Sequence, residues 1–184
     1  MKHILLLLCA VIGISLTSCA QEKKQKQEKK EQKVLVAYFS ATGTTKAVAE
    51  KIAAATGGTL SAILPEQPYT AADLDWRNEK SRSTIEMENE KSRPACKKIS
   101  TEGYDIIYIG YPIWWNKAPR VINTFIEGDD LSDKRIIPFA TSGGSGIENS
   151  VDELKKTYPS LLWQSGKLLN SPSQKNIETW VNQQ

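Results

Sequence analysis

Histidine is almost missing: one, His3, in 184 residues. It sits in the N-terminal leader described below. The rest of the chain therefore has no Ser-His-Asp triad, no Cys-His pair and no His-ligated metal. Cysteine is also scarce, with Cys9, Cys19 and Cys96. The first two belong to the N-terminal segment, so Cys96 has no intramolecular partner and no disulfide framework is possible. Cys96 reads as a small packed residue rather than a reactive thiol. Nothing in the chain has the two glycines and Gly-Lys-Ser/Thr ending of a Walker A loop, or the three glycines of a dinucleotide fingerprint. No internal repeat is visible.

What is present begins with Met1-Lys2-His3, a short positive stretch, followed by an apolar run from Ile4 to Leu16. That run is too short to span a bilayer and suits a secretory leader. Leu16-Thr17-Ser18-Cys19 resembles the lipobox of bacterial lipoproteins, in which the Cys becomes the acylated first residue. The simpler alternative is a plain signal peptide cut at a small residue. Residues 1–19 are thus expected to be a lipoprotein signal ending at Cys19. Residues 20–33 are nearly all Gln, Glu and Lys, too polar to fold alone, and read as a solvated tether. The net charge is +3. Lys2 contributes +1 and the tether, with six Lys against three Glu, another +3. The body is left at −1, so the basic pI gives no argument for nucleic acid.

The stretch that organises the body is Val34 to Glu50, VLVAYFSATGTTKAVAE. An apolar run, Val34 to Phe39, reads as a buried strand. Ser40, Thr42, Gly43, Thr44 and Thr45 follow, and then strong helix formers from Lys46. A strand, a hydroxyl-rich turn and a helix start together hold an anion. Backbone N–H groups converge on one spot, and the helix dipole makes that spot positive. With a single glycine, the turn suits a monophosphate. The competing reading is that Thr44 or Thr45 merely caps an ordinary helix.

Further strands are expected at Thr59 to Leu64, Tyr104 to Gly110 and Lys134 to Ala140, the last with Pro138 inside it. A weaker one falls within Leu161 to Leu169, interrupted by Gly166. Helices are expected after Gly-rich or Pro-bounded turns at Arg120 to Glu127, Ile147 to Tyr158 and Ser173 to Val181. Residues 66–103 form an unusually long connection. It either lies across the site or is a surface helix with loops, the reading preferred here. Alternation of strand and helix gives a five-stranded parallel sheet with helices on both faces. Loops 40–45, 111–117 and 141–146 all follow strands, so all lie at the carboxyl edge. With strand order 2-1-3-4-5 they meet at the switch point, where such sheets bind ligands. The adjacent Trp114 and Trp115 either pack inward or form a flat wall for a planar ligand. The bare backbone of Thr141-Ser-Gly-Gly-Ser-Gly146 lets a ligand approach closely. The constellation suits a flat heteroaromatic carrying one phosphate.

These residues resemble the flavodoxin family over essentially all of 34–184. Ser40-Ala-Thr-Gly-Thr-Thr45 is similar to its phosphate loop, the Trp114-Trp115 turn to its first flavin-flanking loop, and Thr141 to Gly146 to its second. YPIWW and FATSGGSGIENS are similar to flavodoxin-like lipoproteins and small FMN proteins of Bacteroides-type bacteria. The resemblance implies a flavodoxin-like doubly wound α/β fold and FMN bound without a covalent link. Ser40, Ala41, Thr42, Gly43, Thr44 and Thr45 would hold the phosphate. Pro112, Ile113, Trp114, Trp115 and Asn116 would flank the ring. Thr141, Ser142, Gly143, Gly144 and Ser145 would meet its pyrimidine edge. No catalytic residue or metal ligand is implied. The second loop has no Tyr to stack on the other ring face, and Asn116 stands where related sequences often have Gly. The expected function is electron transfer with a redox partner protein or small acceptor. The expected place is the cell envelope, periplasm-facing or outer membrane, held by a lipid on Cys19. Two alternatives stand beside it: an FMN-dependent NAD(P)H:quinone-type oxidoreductase, and a non-redox binding module.

Overall fold

A computed structural model of the chain describes residues 32–184. The leader (1–19), Cys19 and all but the last two residues of the tether (20–33) lie outside the described residues. The elements run β1 (Val34–Tyr38), α1 (Thr44–Thr56), β2 (Thr59–Ala62), α2 (Arg82–Glu88), β3 (Ile106–Pro112), α3 (Arg120–Glu127) and β4 (Arg135–Thr141). Then come α4 (Glu148–Thr157), β5 (Leu162–Trp163), β6 (Lys167–Leu168) and α5 (Gln174–Val181). The strands are parallel in the order β2-β1-β3-β4-β5, with β6 also paired to β4. This is the expected 2-1-3-4-5 sheet, its fifth strand delivered in two pieces.

Period-two alternation along the central strands splits the core into two layers. Leu35, Ala37, Ile107, Ile109, Tyr111 and Ile136 face one side, packed with Val121, Ile122 and Phe125 of α3 and with Val151 and Leu154 of α4. Val36, Tyr38, Tyr108, Ile137 and Phe139 face the other, against Val48 and Ile52 of α1 and Ile177 and Trp180 of α5. α1 ends as Gly57 predicts: its backbone is left-handed (φ 65°) and its N–H returns to the Ala53 carbonyl. α5 begins at the Ser173 cap, whose side chain accepts from the Asn176 N–H.

The break in the fifth strand has a cause in β4. The Gln164 N–H donates to the Ile136 carbonyl and the Leu169 N–H to that of Ala140, each at 2.8 Å. Residues 136, 138 and 140 therefore direct their backbone groups to this edge. Pro138 has no N–H to offer there. Three steps along β4, from Ile136 to Phe139, match four along the outer strand, from Trp163 to Lys167. The extra residue bulges past the proline. The expected weakness at Pro138 thus appears in its neighbour, and β4 itself is unbroken.

Candidate functional site

β3 and β4 each run further toward the carboxyl edge than their sequence patterns suggest. Tyr111 pairs with Ala140 and Pro112 with Thr141 in continuous register. Tyr111 is wholly buried, its hydroxyl 3.1 Å from that of Ser150 on α4. The turn expected from residue 111 therefore starts at Ile113. The carboxyl edge then ties the three loops together. The Thr45 and Thr141 hydroxyls lie 2.8 Å apart in a buried contact, joining the first loop to the third. The Ile113 N–H donates to the Thr141 carbonyl at 2.9 Å, joining the second to the third.

The first loop turns at Gly43, whose backbone is left-handed (φ 92°), and the Gly43 N–H donates to Ser40 Oγ at 3.0 Å. Gly43 is also the N-cap of α1, and no side chain caps that helix. The simple-cap reading of Thr44 or Thr45 is therefore set aside. The helix start keeps its N–H groups directed outward beneath a loop of hydroxyls. Thr42 and Thr44 are exposed, their hydroxyls 3.4 Å apart, while Ser40 and Ala41 are half-buried. Thr45 is the exception: it is buried and its hydroxyl is committed to Thr141.

The second loop is a two-residue turn. Trp114 and Lys117 exchange both backbone hydrogen bonds, at 3.0 and 2.9 Å. Trp115 and Asn116 between them both have positive φ, 46° and 62°, the signature of a type I′ turn. The two tryptophans divide the roles left open by the sequence. Trp114 packs into a three-ring cluster with Phe39 (centroids 5.5 Å) and Tyr69 (5.2 Å), both close to edge-on. Trp115 is left 42% exposed. α4 grips this turn at two points: Asn149 Nδ2 donates to the Asn116 carbonyl at 2.8 Å, and Lys117 Nζ lies 3.5 Å from Glu153. Glu153 also pairs with the buried Arg120 of α3 at 3.0 Å, and Arg120 reaches the Met87 carbonyl at the end of α2.

The third loop braces itself. Ser142 Oγ accepts from the N–H groups of Gly144 (3.1 Å) and Ser145 (2.8 Å), and the Ser142 N–H donates to Asn170 Oδ1 at 2.9 Å. Gly143 and Gly144 have open space where a Cβ would stand.

Residues 66–103 take part, against the preferred reading of a surface helix with loops. A cavity of about 400 Å³ opens between the first two loops. Ala41 and Thr42 line it from the first, Pro112 to Trp115 from the second, and Leu74, Trp76 and Ser83 from this long excursion. The sequence reading missed these last three and also Tyr69, Asn149 and Glu153. The one signal available was an indole at Trp76 stranded in a polar segment. Tyr69 backs Trp114, takes the Arg82 guanidinium over its ring at 4.2 Å and donates its hydroxyl to Glu86. Burial, and then that carboxylate, push the Tyr69 phenol well above its usual range, so it stays protonated. Cys96 is half-buried against the core, and burial raises its thiol, so it too stays neutral.

An anion-holding helix start, an aromatic turn and an open backbone loop converge at the switch point of a 2-1-3-4-5 sheet. That defines a doubly wound α/β protein whose carboxyl edge suits a phosphorylated planar ligand. The family model described as Flavodoxin matches residues 33–184, and the chain belongs to the flavodoxin family. It is similar to a flavoprotein candidate from Bacteroides eggerthii, at 58% identity over 82% of this chain and 96% of that one, with a TM-score of 0.79. A second flavoprotein candidate, from Bacteroides uniformis, is 53% identical over 82% and 98%, with a TM-score of 0.80. A flavoprotein from Lactobacillus acidophilus, solved in complex with FMN, shares the fold at 22% identity over 81% and 98%, with a TM-score of 0.64. No curated relative matches the chain.

Proposed function

We propose that this chain is an FMN-binding electron carrier of the cell envelope, held to a membrane by a lipid on Cys19. The uncapped start of α1 beneath the exposed hydroxyls of Thr42 and Thr44 carries the reading. Such a site prefers a ligand ending in a phosphate. The residues present fit FMN. Thr42 and Thr44 hydroxyls and the N–H groups at the start of α1 receive the phosphate. Pro112 to Trp115 and the adjoining cavity receive a flat ring. Ser142 to Ser145, outside that cavity's lining, offer backbone groups to the part of the ring that projects beyond it. Membership of the flavodoxin family, and the FMN complex of the Lactobacillus acidophilus flavoprotein, support the same cofactor.

When bound, FMN supplies the electron-transfer chemistry, and the protein supplies its position and surroundings. No base or nucleophile is asked of the chain. Tyr69 stays protonated and keeps Trp114 in place, and Thr45 with Thr141 fixes the phosphate loop to the sheet. The partner is a redox protein or a small electron acceptor.

Titration with FMN and riboflavin tests the cofactor: FMN should bind far more tightly, and equal affinities would sink the monophosphate assignment. Anaerobic stopped-flow mixing separates carrier from reductase. A carrier is reduced readily by small one-electron donors and very slowly by NADH or NADPH. Fast, saturable reduction by either nucleotide would instead favour the quinone-reductase reading, which the open apolar cavity accommodates. For the anchor, Cys19→Ser should release the protein from membranes with flavin binding unchanged; a variant that still partitions to membranes refutes the lipid on Cys19.

A further inference from the structure

The geometry points to the excursion between β2 and β3 as part of the ring-binding site, with Trp76 as the wall against which the flavin ring packs. This inference rests on the FMN reading above. Among the described residues few large apolar side chains are exposed, and two of them, Trp76 at 68% and Trp115 at 42%, line the same cavity. Indoles left in water at one mouth mark a binding surface rather than chance exposure. The cavity's lining contains no charged side chain; its polar side-chain groups are the hydroxyls of Thr42 and Ser83 and the indole N–H groups of its tryptophans. It is therefore suited to an uncharged planar ring and unsuited to an ionic ligand. Thr42 belongs both to this lining and to the phosphate loop, so one ligand reaches both. Leu74, Trp76 and Ser83 give the cavity a side that neither of the first two loops supplies.

Trp76 is held on fixed backbone. The Thr70 N–H and hydroxyl both donate to Asp73 Oδ2, at 2.8 and 2.7 Å. The Ser83 N–H donates to the Asp73 carbonyl at 3.0 Å, and the Asn78 N–H to that of Asp75 at 3.0 Å. The neck of the excursion is closed by a bridge between Pro65 and Cys96, with the Lys97 N–H on the Leu64 carbonyl at 2.9 Å. The backbone that carries the indole is thus already tied down, so a ring that packs there need not order the loop.

The test is flavin titration of the purified full-length chain and its Trp76→Ala, Trp76→Phe and Leu74→Ala variants, with far-UV circular dichroism to confirm folding. Trp76→Ala should weaken FMN and riboflavin by the same factor, about ten-fold, as for loss of one aromatic stacking partner. The FMN-to-riboflavin affinity ratio should stay constant, because the phosphate loop is untouched. Trp76→Phe should restore most of the affinity, and Leu74→Ala should weaken both flavins in the same sense. Unchanged affinity in Trp76→Ala overturns the inference, as does a loss confined to FMN. Unchanged affinity with slower oxidation of the reduced flavin by p-benzoquinone also overturns it, because the indole then serves an acceptor. A wild-type chain that binds neither flavin overturns the proposed function itself, and with it this assignment.

Discussion

Asn116 has φ 62° in the second loop, in the left-handed region that most side chains reach at a cost of roughly 1–2 kcal/mol. Asn enters it more cheaply than most, and Gly at no steric cost. The Asn116 side chain is exposed, and the contact that α4 makes there is to its carbonyl, so substitution tests the backbone alone. Asn116→Gly should leave stability within about 0.5 kcal/mol of the parent, whereas Asn116→Ala should lose about 1 kcal/mol. Urea unfolding of the three proteins compares them; equal midpoints for Asn and Ala would mean that the turn relaxes out of this geometry. The sequence offered Asn116 as a departure from Gly, and the backbone explains how the departure is tolerated. Trp115, beside it at φ 46°, is the costlier occupant. Strain of this kind gathers at ligand sites, where the surroundings hold it. Here the holding is done by the Trp114–Lys117 pair and by Asn149 of α4.

Among the elements, the divided fifth strand is closely fitted to its neighbours. Its bulge brings Gly166 against α4 and β4, so that a Cβ there would lie 2.8 Å from Val151 Cγ2, 3.0 Å from Ile147 Cδ1 and 3.4 Å from Pro138 Cβ. Gly166→Ala should therefore cost about 1–3 kcal/mol by overpacking. The loss appears as a lower urea midpoint with an unchanged m-value, and a midpoint equal to the parent's would show that α4 yields freely. The sequence made the sheet legible because its central strands are apolar without a break and its helices are periodic. It marked the strand's interruption at Gly166 but not the reason, which lies in a proline one strand away. Hydroxyl and glycine content marked the phosphate loop. It did not separate Thr45, turned inward to Thr141, from Thr42 and Thr44, which stay exposed. The 66–103 excursion was least legible. Its apolar residues are few and aperiodic, and one of them, Tyr69, finds its partners in Phe39 and Trp114 across the site rather than in neighbours on one helix.

At the scale of the whole molecule, the want of histidine becomes a statement about pH. Beyond His3 no imidazole is left to titrate, so stability should vary little between about pH 6 and 9. Alkali is different. Burial raises Tyr108 to about 12, and it raises the fully buried Tyr111 further, against the opposing effect of its hydrogen bond to Ser150. An unfolded tyrosine ionises near 10. Between that value and the folded one, the unfolded chain has lost a proton that the native protein keeps. The stabilisation from each group is thus complete below pH 10 and is lost as pH rises through the folded pKa. The slope is about 1.4 kcal/mol per pH unit for each buried tyrosine, or roughly 3 for the pair. Tyr69 and Tyr158, whose hydroxyls donate to Glu86 and Glu127, shift the same way and steepen the fall further. Urea midpoints at pH 7, 9, 10.5 and 11.5 should hold level through 9 and then fall steeply. Tyr108→Phe isolates one contribution: it keeps the ring that packs edge-on to Trp180 at 5.6 Å and removes the titrating hydroxyl. That variant should lose about 1.4 kcal/mol per unit from the alkaline slope while its midpoint at pH 7 stays near the parent's. A slope identical to the parent's would mean that Tyr108 ionises inside the folded protein as easily as outside it, and that its burial against Trp180 does not resist the charge.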